Sequence, residues 1–420
     1  SVSILFLSLK SLRSRLFPVS LCVISLAISV ALFLGVERIR QGAEDGFTNT
    51  LSKTDLIVGA RGGPLQLLLY SVFHIGNPIN NIRYDSYQRY VNNRMIDWTI
   101  PFSLGDSYKG HRVVGTTEDF FEHYRYRGDS SLTLEKGKRF EGIFDVVLGN
   151  EVAKKFGHKV GDSITLAHGL NSMSQMQHKN TPFKVVGILT PTQTPVDKAV
   201  YVSLYGIEAM HIGWESGTPD EGKLVNPDKL NKEDINFSQI SSFLVGAKSR
   251  IHTLRLRSMV AQDSEEPLMA IIPGLVLQQL WQLLSHIESV LKLISYCVLG
   301  IGLLGITITL YTSLQERRRE MAILRSLGVG PFKITALLLT EAFSVVFLGS
   351  LIGLGLLYLC LKILGPYLES EFSIYLTGKI IMTSDLYVLL SVCAAGLIAG
   401  LIPALKASYQ SIRDGLTTSA

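Results

Sequence analysis

Apolar positions along the chain fall into two regimes. Four uncharged runs, Leu16–Val36, Leu293–Leu314, Ala342–Leu361 and Leu386–Leu405, are unbroken by any Asp, Glu, Lys or Arg. A hydrocarbon core of about 30 Å needs roughly 20 helical residues, so each run predicts a membrane-spanning helix. With their flanks these give segments 16–36, 289–314, 334–361 and 386–405. Ahead of the first, Val2, Leu5, Phe6, Leu9, Leu12 and Leu16 share one helical face, with Ser8, Ser11, Arg13 and Arg15 on the other. That pattern predicts an amphipathic helix lying in the interface over 1–15, and Pro18 tolerates a bend into the span. Beyond it Val36, Ile39, Ala43, Phe47 and Leu51 keep a spacing of three to four, so the helix is expected to continue outward. On the return side Leu277, Leu280, Leu284, Ile287 and Leu291 alternate spacings of three and four, the seam of a coiled coil. The two helices together predict a stalk.

Between them, residues 37–288 read as a soluble domain of mixed α and β structure. Asp55–Gly59, Val146–Gly149, Ser163–Leu166, Phe183–Leu189, Ala199–Leu204 and Ser242–Ala247 are short runs rich in β-branched residues and predict strands. Helical stretches are expected at Ser86–Ile96, Asp119–Tyr126, Glu151–Phe156, Gly206–His211 and Arg250–Ala261. Glu215–Asn236, with Pro219 and Pro227, reads as a surface excursion. The fold class is therefore a membrane α-helical protein of four transmembrane helices carrying a large mixed α/β extracytoplasmic domain. That domain is expected to have two lobes on a helical stalk, the second inserted in the first at about 145–210.

Charge orients the spans. Lys10, Arg13 and Arg15 precede the first; Arg317, Arg318, Arg319, Arg325 and Lys333 fill the link 315–333; Lys406 and Arg413 lie in the tail 406–420. The loop 362–385 carries only Lys362 and Lys379 against Glu369, Glu371 and Asp385. Positive residues stay in the cytoplasm, so both termini are expected inside and 37–288 outside. The net charge of +5 reflects this topology and gives no reason to expect nucleic-acid binding. The first span lacks a small-residue cleavage site and reads as a signal anchor. Cys22, Cys297, Cys360 and Cys393 all fall in apolar runs, which excludes a disulfide-stapled external domain.

The most informative polar stretch leaves the second span. Over Gln315–Gly328 the sequence is QERRREMAILRSLG, with Arg317, Glu320 and Arg325 on a polar face and Met321, Ile323, Leu324 and Leu327 on an apolar one. This suits a short helix docking into a groove on another protein. The segment resembles the cytoplasmic coupling region of the FtsX-like permeases, the family of MacB, LolC/LolE and FtsX. Val147–Ala153, Gly157–Ile164 and Phe183–Leu189 resemble that family's MacB-like periplasmic core, and Gly400–Ala407 with Asp414 and Leu416 resembles its exit from the fourth span. The resemblance implies a permease subunit of an ABC transporter in a bacterial inner membrane. Two separate ATPase subunits would bind ATP and magnesium, and a second permease copy or a homologous permease would complete the complex. A periplasmic client or binding protein would be a further partner. Residues placed at the ATPase contact are Glu316, Arg317, Glu320, Met321, Arg325, Ser326, Leu327 and Gly328. The chain itself is expected to be no enzyme and to hold no cofactor. Gly217–Lys223 imitates a phosphate loop, but Leu224 stands where a magnesium-binding hydroxyl is required.

Two further groups are singled out. Gly349 with Gly353, and Gly396 with Gly400, offer flat faces for close helix approach. All nine histidines lie in the external segment, and His168, Met173, Met176 and His178 cluster in an expected hairpin, with His211 following a helix. Imidazole and thioether suit zinc or copper, which makes His168, His178 and His211 candidate metal ligands. His168–Leu170, His178, Thr194–Asp197 and Ile207–His211 resemble a branch of these permeases linked to zinc handling. Three functions stay open: mechanical work on a periplasmic or membrane client, divalent-metal uptake, and a membrane-anchored receptor or scaffold without transport. The topology is directly testable. A cysteine at Ser216 is expected to react with an impermeant thiol reagent in intact cells and one at Ser326 to stay unlabelled; labelling at Ser326 would overturn the orientation.

Overall fold

The structure, a computed structural model, describes residues 16–168, 181–212, 230–316, 331–372 and 383–416. The first apolar run is part of a longer helix, α1 (Leu16–Thr50), whose outward extension follows the spacing of Ile39, Ala43 and Phe47. The chain divides into two units, one of residues 44–283 and one of residues 1–43 and 284–420.

The 44–283 unit begins with β1 (Leu56–Ala60), α2 (Pro64–Val72), β2 (Ile82–Arg83) and α3 (Tyr84–Val91). A long strand β3 (Ile96–Tyr108) follows, then β4 (His111–Thr116), α4 (Asp119–His123), β5 (Arg125–Tyr126), β6 (Ser130–Ser131) and β7 (Leu134–Gly137). Next come β8 (Asp145–Leu148), α5 (Asn150–Phe156), β9 (Ser163–Ile164), β10 (Ala167–His168) and β11 (Phe183–Leu189). The unit continues with β12 (Val200–Ser203), α6 (Leu204–His211), β13 (Gln239–Ile240), β14 (Ser242–Ala247), α7 (Arg250–Ala261) and β15 (Leu268–Ile271).

Strand β3 organises this unit. Its first half pairs antiparallel with β14, through Ile100↔Leu244 and Phe102↔Ser242. Its second half pairs antiparallel with β4, through Ser103↔Gly115 and Tyr108↔His111. The sheet path is β15-β1-β14-β3-β4-β12-β8-β11-β7, with β8–β11 and β4–β12 parallel. The part of this one sheet that holds the strands at 145–203 also takes in the C-terminal half of β3, with β4 and β7. Its core is built on Val146, Leu148, Phe183, Val185 and Val202. Burying a side chain such as Phe183 contributes about 1.5–3 kcal/mol. Gly137 is one position where glycine is required. It has φ +79°, and a Cβ there would lie 2.0 Å from the Val186 carbonyl oxygen.

Local signals explain the helix boundaries. Ser203 caps α6 by accepting from the Gly206 amide, and Ser249 caps α7 by accepting from the His252 amide. The expected helix at 119–126 stops at His123 because Arg125–Tyr126 pairs with Ser130–Ser131. The one expected at 86–96 is displaced to Tyr84–Val91, since Ile96 already belongs to β3.

The remaining helices are α8 (Pro273–Glu316), α9 (Pro331–Phe372) and α10 (Thr383–Leu416). With α1 they make four helices long and apolar enough to cross a membrane. Leu26, Val30 and Leu34 of α1 pack with Ile306 and Leu310 of α8, Leu338, Ala342 and Val346 of α9, and Val392 of α10. In the other unit Phe47 of α1 stacks against Phe73 and Trp281, with ring centres 4.2 and 5.7 Å away.

Candidate functional site

Polar groups among apolar helices are costly unless paired, so their pairing locates what the bundle is built around. Arg38 of α1 and Asp385 of α10 form an ion pair in which the side chains are only 7% and 3% exposed. The Tyr358 hydroxyl of α9 donates to the same Asp385 oxygen at 3.4 Å. One carboxylate thus ties three helices together. Beside it, Glu37 accepts from Arg40 at 2.8 Å and from the Gln41 amide at 2.7 Å. Lys292 of α8 lies 2.6 Å from Glu288 and 3.4 Å from Glu37, and Arg40 reaches Glu288 at 3.5 Å. The sequence reading missed both networks. It counted Asp385 only as a loop charge and gave Arg38 no role.

The paired glycines lie at close helix contacts. A Cβ on Gly349 would come within 2.9 Å of the Leu26 Cβ, and one on Gly353 within 2.8 Å of the Ala27 carbonyl oxygen, both on α1. On α10, a Cβ at Gly396 would lie 2.3 Å from Val346 and one at Gly400 2.6 Å from Ala342, both on α9. Glu316 ends α8. Arg317, Glu320, Met321, Arg325, Ser326, Leu327 and Gly328 lie outside the described residues, as do His178 and Gly217–Lys223.

In the 44–283 unit the histidines have diverse roles. His158 Nε2 is 2.8 Å from the Tyr108 hydroxyl, and His111 Nδ1 donates to the Lys198 carbonyl at 2.9 Å. Desolvation pushes His74 down to about 3. His123 stacks on Trp98 with ring centres 5.4 Å apart. It also shares a group with Asp119 and Glu122 whose ligand atoms lie within 4.8 Å of one another, on two exposed carboxylates. Thr194–Asp197 forms a structural turn: the buried Asp197 carboxylate accepts from the Thr192 amide, the Thr192 hydroxyl and the Gln193 amide at 2.8–3.0 Å. Burial raises the Asp197 carboxyl above its ordinary value, partly opposed by those donors.

His211 is different. Its Nε2 lies 3.5 Å from Asp106 Oδ1, and the Asp106 side chain is only 5% exposed. Asp106 sits where the β3–β4 register shifts, between Leu104 and Ser107. Such irregularities re-aim side chains, often beside functional sites. The same residue is the register partner of His168 on β10. Burial alone would depress His211, but the Asp106 carboxylate, with Glu208 nearby, raises it above the ordinary histidine value. The structure therefore places His211 with Asp106, a residue that sequence spacing did not single out. The β10–β3 register puts the backbone of His168 opposite the same aspartate.

Comparison with known proteins adds the following. Residues 19–228 match the family model of the MacB-like periplasmic core domain, and residues 292–412 match that of the FtsX-like permease C-terminal region. Among solved structures the chain is similar to the periplasmic region of MacB from Actinobacillus actinomycetemcomitans. That match has 13% identity and a TM-score of 0.34, covering 55% of this chain and 94% of that one. It is also similar to the extracellular domain of the noncanonic ABC-type transporter YknZ from Gram-positive bacteria. There the identity is 12% and the TM-score 0.29, over 52% of this chain and 98% of that one. A search of curated proteins finds no match.

The Arg38–Asp385 pair yields a sharp expectation. Removing one partner of a buried pair costs about 3–5 kcal/mol, whereas replacing both by apolar groups is often close to neutral. Arg38→Leu is expected to lower the thermal midpoint of the detergent-solubilised chain strongly. Arg38→Leu/Asp385→Leu should recover more than half of that loss. A double variant no more stable than the single one would show that the two residues do not act as a unit.

Proposed function

The chain belongs to the FtsX-like permease family with a MacB-like periplasmic core domain, and on that premise we propose that it works by transmitting movement. In this reading it sits in a bacterial inner membrane as the permease subunit of an ABC transporter. ATP hydrolysis occurs in separate ATPase subunits docked at Glu316–Gly328. Their closure moves the periplasmic domain against a periplasmic or membrane client. The observation that carries the reading is α8, one unbroken helix from Pro273 to Glu316. Leu277, near one end, packs on the core of the 44–283 unit, and the other end runs directly into the coupling segment. A continuous helix resists compression and bending, so displacement at one end is felt at the other.

A docked helix loses its seat when an apolar contact becomes a charge, because that charge is desolvated without a partner. Leu327→Asp is expected to cut ATPase co-purification at least tenfold while the permease remains folded in the membrane. Undiminished ATPase binding by that variant would remove the docking site.

A second reading, divalent-metal handling, is favoured by the convergence on Asp106. His211 offers an imidazole nitrogen and Asp106 a carboxylate oxygen, a donor set suited to zinc, with His168 opposite in register. Metal binding requires the neutral imidazole, and the folded His211 holds its proton to a higher pH than the ordinary value near 6.5. Zinc should therefore bind the full-length chain stoichiometrically at pH 8 and be released as the pH falls through that raised value. Calorimetry on the wild type and on Asp106→Asn/His211→Ala checks this: a flat wild-type titration, or equal binding by the variant, rules the reading out.

A further inference from the structure

The turn from β1 into α2 leaves donors without acceptors. Gly62 and Gly63 follow the strand, and the helix begins at Pro64, which has no amide hydrogen. The Leu67 amide is the first of the helix to find a carbonyl, that of Gly63 at 3.0 Å. The amides of Gly62, Gly63 and Gln66 donate to nothing among the described residues. These three residues line a recess of about 40 Å³ at the N-terminal end of α2, where free amides and the helix dipole favour negative charge. Arg61 lines it too. Its Nη2 donates to the Ala261 carbonyl at 3.1 Å, and the guanidinium forms no ion pair among the described residues.

A helix end alone would not make a site, but Tyr70 adds an independent observation. Helical side chains lean toward the N-terminus, so Tyr70, seven residues after Gly63, reaches back to line the same recess. It is only 4% exposed, yet its hydroxyl bonds nothing among the described residues. The other buried tyrosines described in this unit all have hydroxyl partners: Thr99 for Tyr87, Asp263 for Tyr90, His158 for Tyr108, the Thr50 carbonyl for Tyr124 and the Val196 carbonyl for Tyr201. Leaving such a buried donor unsatisfied is costly. A Cβ on Gly59 would lie 3.0 Å from the Tyr70 oxygen, so the bare backbone of β1 makes the room for it. Burial pushes Tyr70 up to about 12, so the hydroxyl keeps its proton and meets an anion as a donor.

We propose that this recess binds a carboxylate carried next to an apolar group, as at a peptide C-terminus or in an apolar amino acid. Tyr70 and the free amides bond its oxygens, and Arg61 balances its single charge. The apolar group rests on Leu67 and on Ile79, which line the recess as well; Ile79 is 72% exposed at its rim. The volume holds about three water-sized atoms, which suits a carboxylate better than a phosphate. The site lies wholly within the 44–283 unit and depends neither on ATPase docking nor on metal at Asp106.

The test titrates N-acetyl-leucine into the detergent-solubilised full chain and follows binding by saturation-transfer NMR. Tyr70→Phe should weaken binding at least tenfold without lowering the thermal midpoint, because the hydroxyl it removes bonds nothing in the protein. Arg61→Gln, at an exposed position, should weaken it at least fivefold. N-acetyl-leucinamide, which lacks the charge, should not compete, and inorganic phosphate should compete at least tenfold less well. Free leucine separates the two sources: binding equal to that of N-acetyl-leucine supports an amino-acid site, and weaker binding supports a site for peptide ends. No binding by the wild type, undiminished binding by both variants, or equal affinity for N-acetyl-leucinamide or phosphate would overturn the proposal.

Discussion

Inside a hydrocarbon layer a backbone amide has no hydrogen-bond partner except its own helix, and a polar side chain has none except a neighbouring one. This constraint shapes the whole bundle. The Ser29 hydroxyl donates to the Ser295 carbonyl at 2.8 Å, and Thr307 donates to the Ala399 carbonyl at 3.2 Å. Arg38, Asp385 and Tyr358 form a charged connection of this kind, joining α1, α9 and α10. Lipid tails are as apolar as leucine, so association of these helices needs close packing and polar pairing. The glycines of α9 and α10 supply the first and the Arg38 network the second.

The 44–283 unit obeys the opposite rule, because water rewards burial there. Its strands alternate into cores around Phe102 and Tyr201, around Phe183, and around Phe243. Strand β3 belongs to two pairings, and the change of partner coincides with the irregularity that carries Asp106. One buried carboxylate of this unit, Asp106, therefore sits where the ladder is interrupted. His211, the last residue of α6, meets it there.

Elements with a single strong local signal were legible in the sequence. Phe183–Leu189, Ser242–Ala247 and Arg250–Ala261 appear with the expected bounds, since each is a continuous β-branched run or a capped amphipathic stretch. Those interrupted by turn-forming residues were not. Strand β3 contains Pro101 and Gly105, which read as punctuation, yet the pairings to β14 and β4 carry the strand through both. Helix α2 follows Gly62 and Gly63 and starts at Pro64, so it reads as a loop; proline is in fact favoured in the first turn, where its missing amide hydrogen has no partner to lose.

By itself the sequence determined four apolar helices, their charge asymmetry and an external domain of mixed secondary structure. These follow from composition and periodicity, which act over one helix turn or one strand pair. Only the tertiary structure decided that Arg38 meets Asp385, 347 positions away, and that Asp106 meets His211. It alone shows that Gly349 and Gly353 face α1 while Gly396 and Gly400 face α9. A Coulomb interaction or a steric clearance depends on the distance between elements packed from remote parts of the chain, and no local pattern of residues encodes that distance.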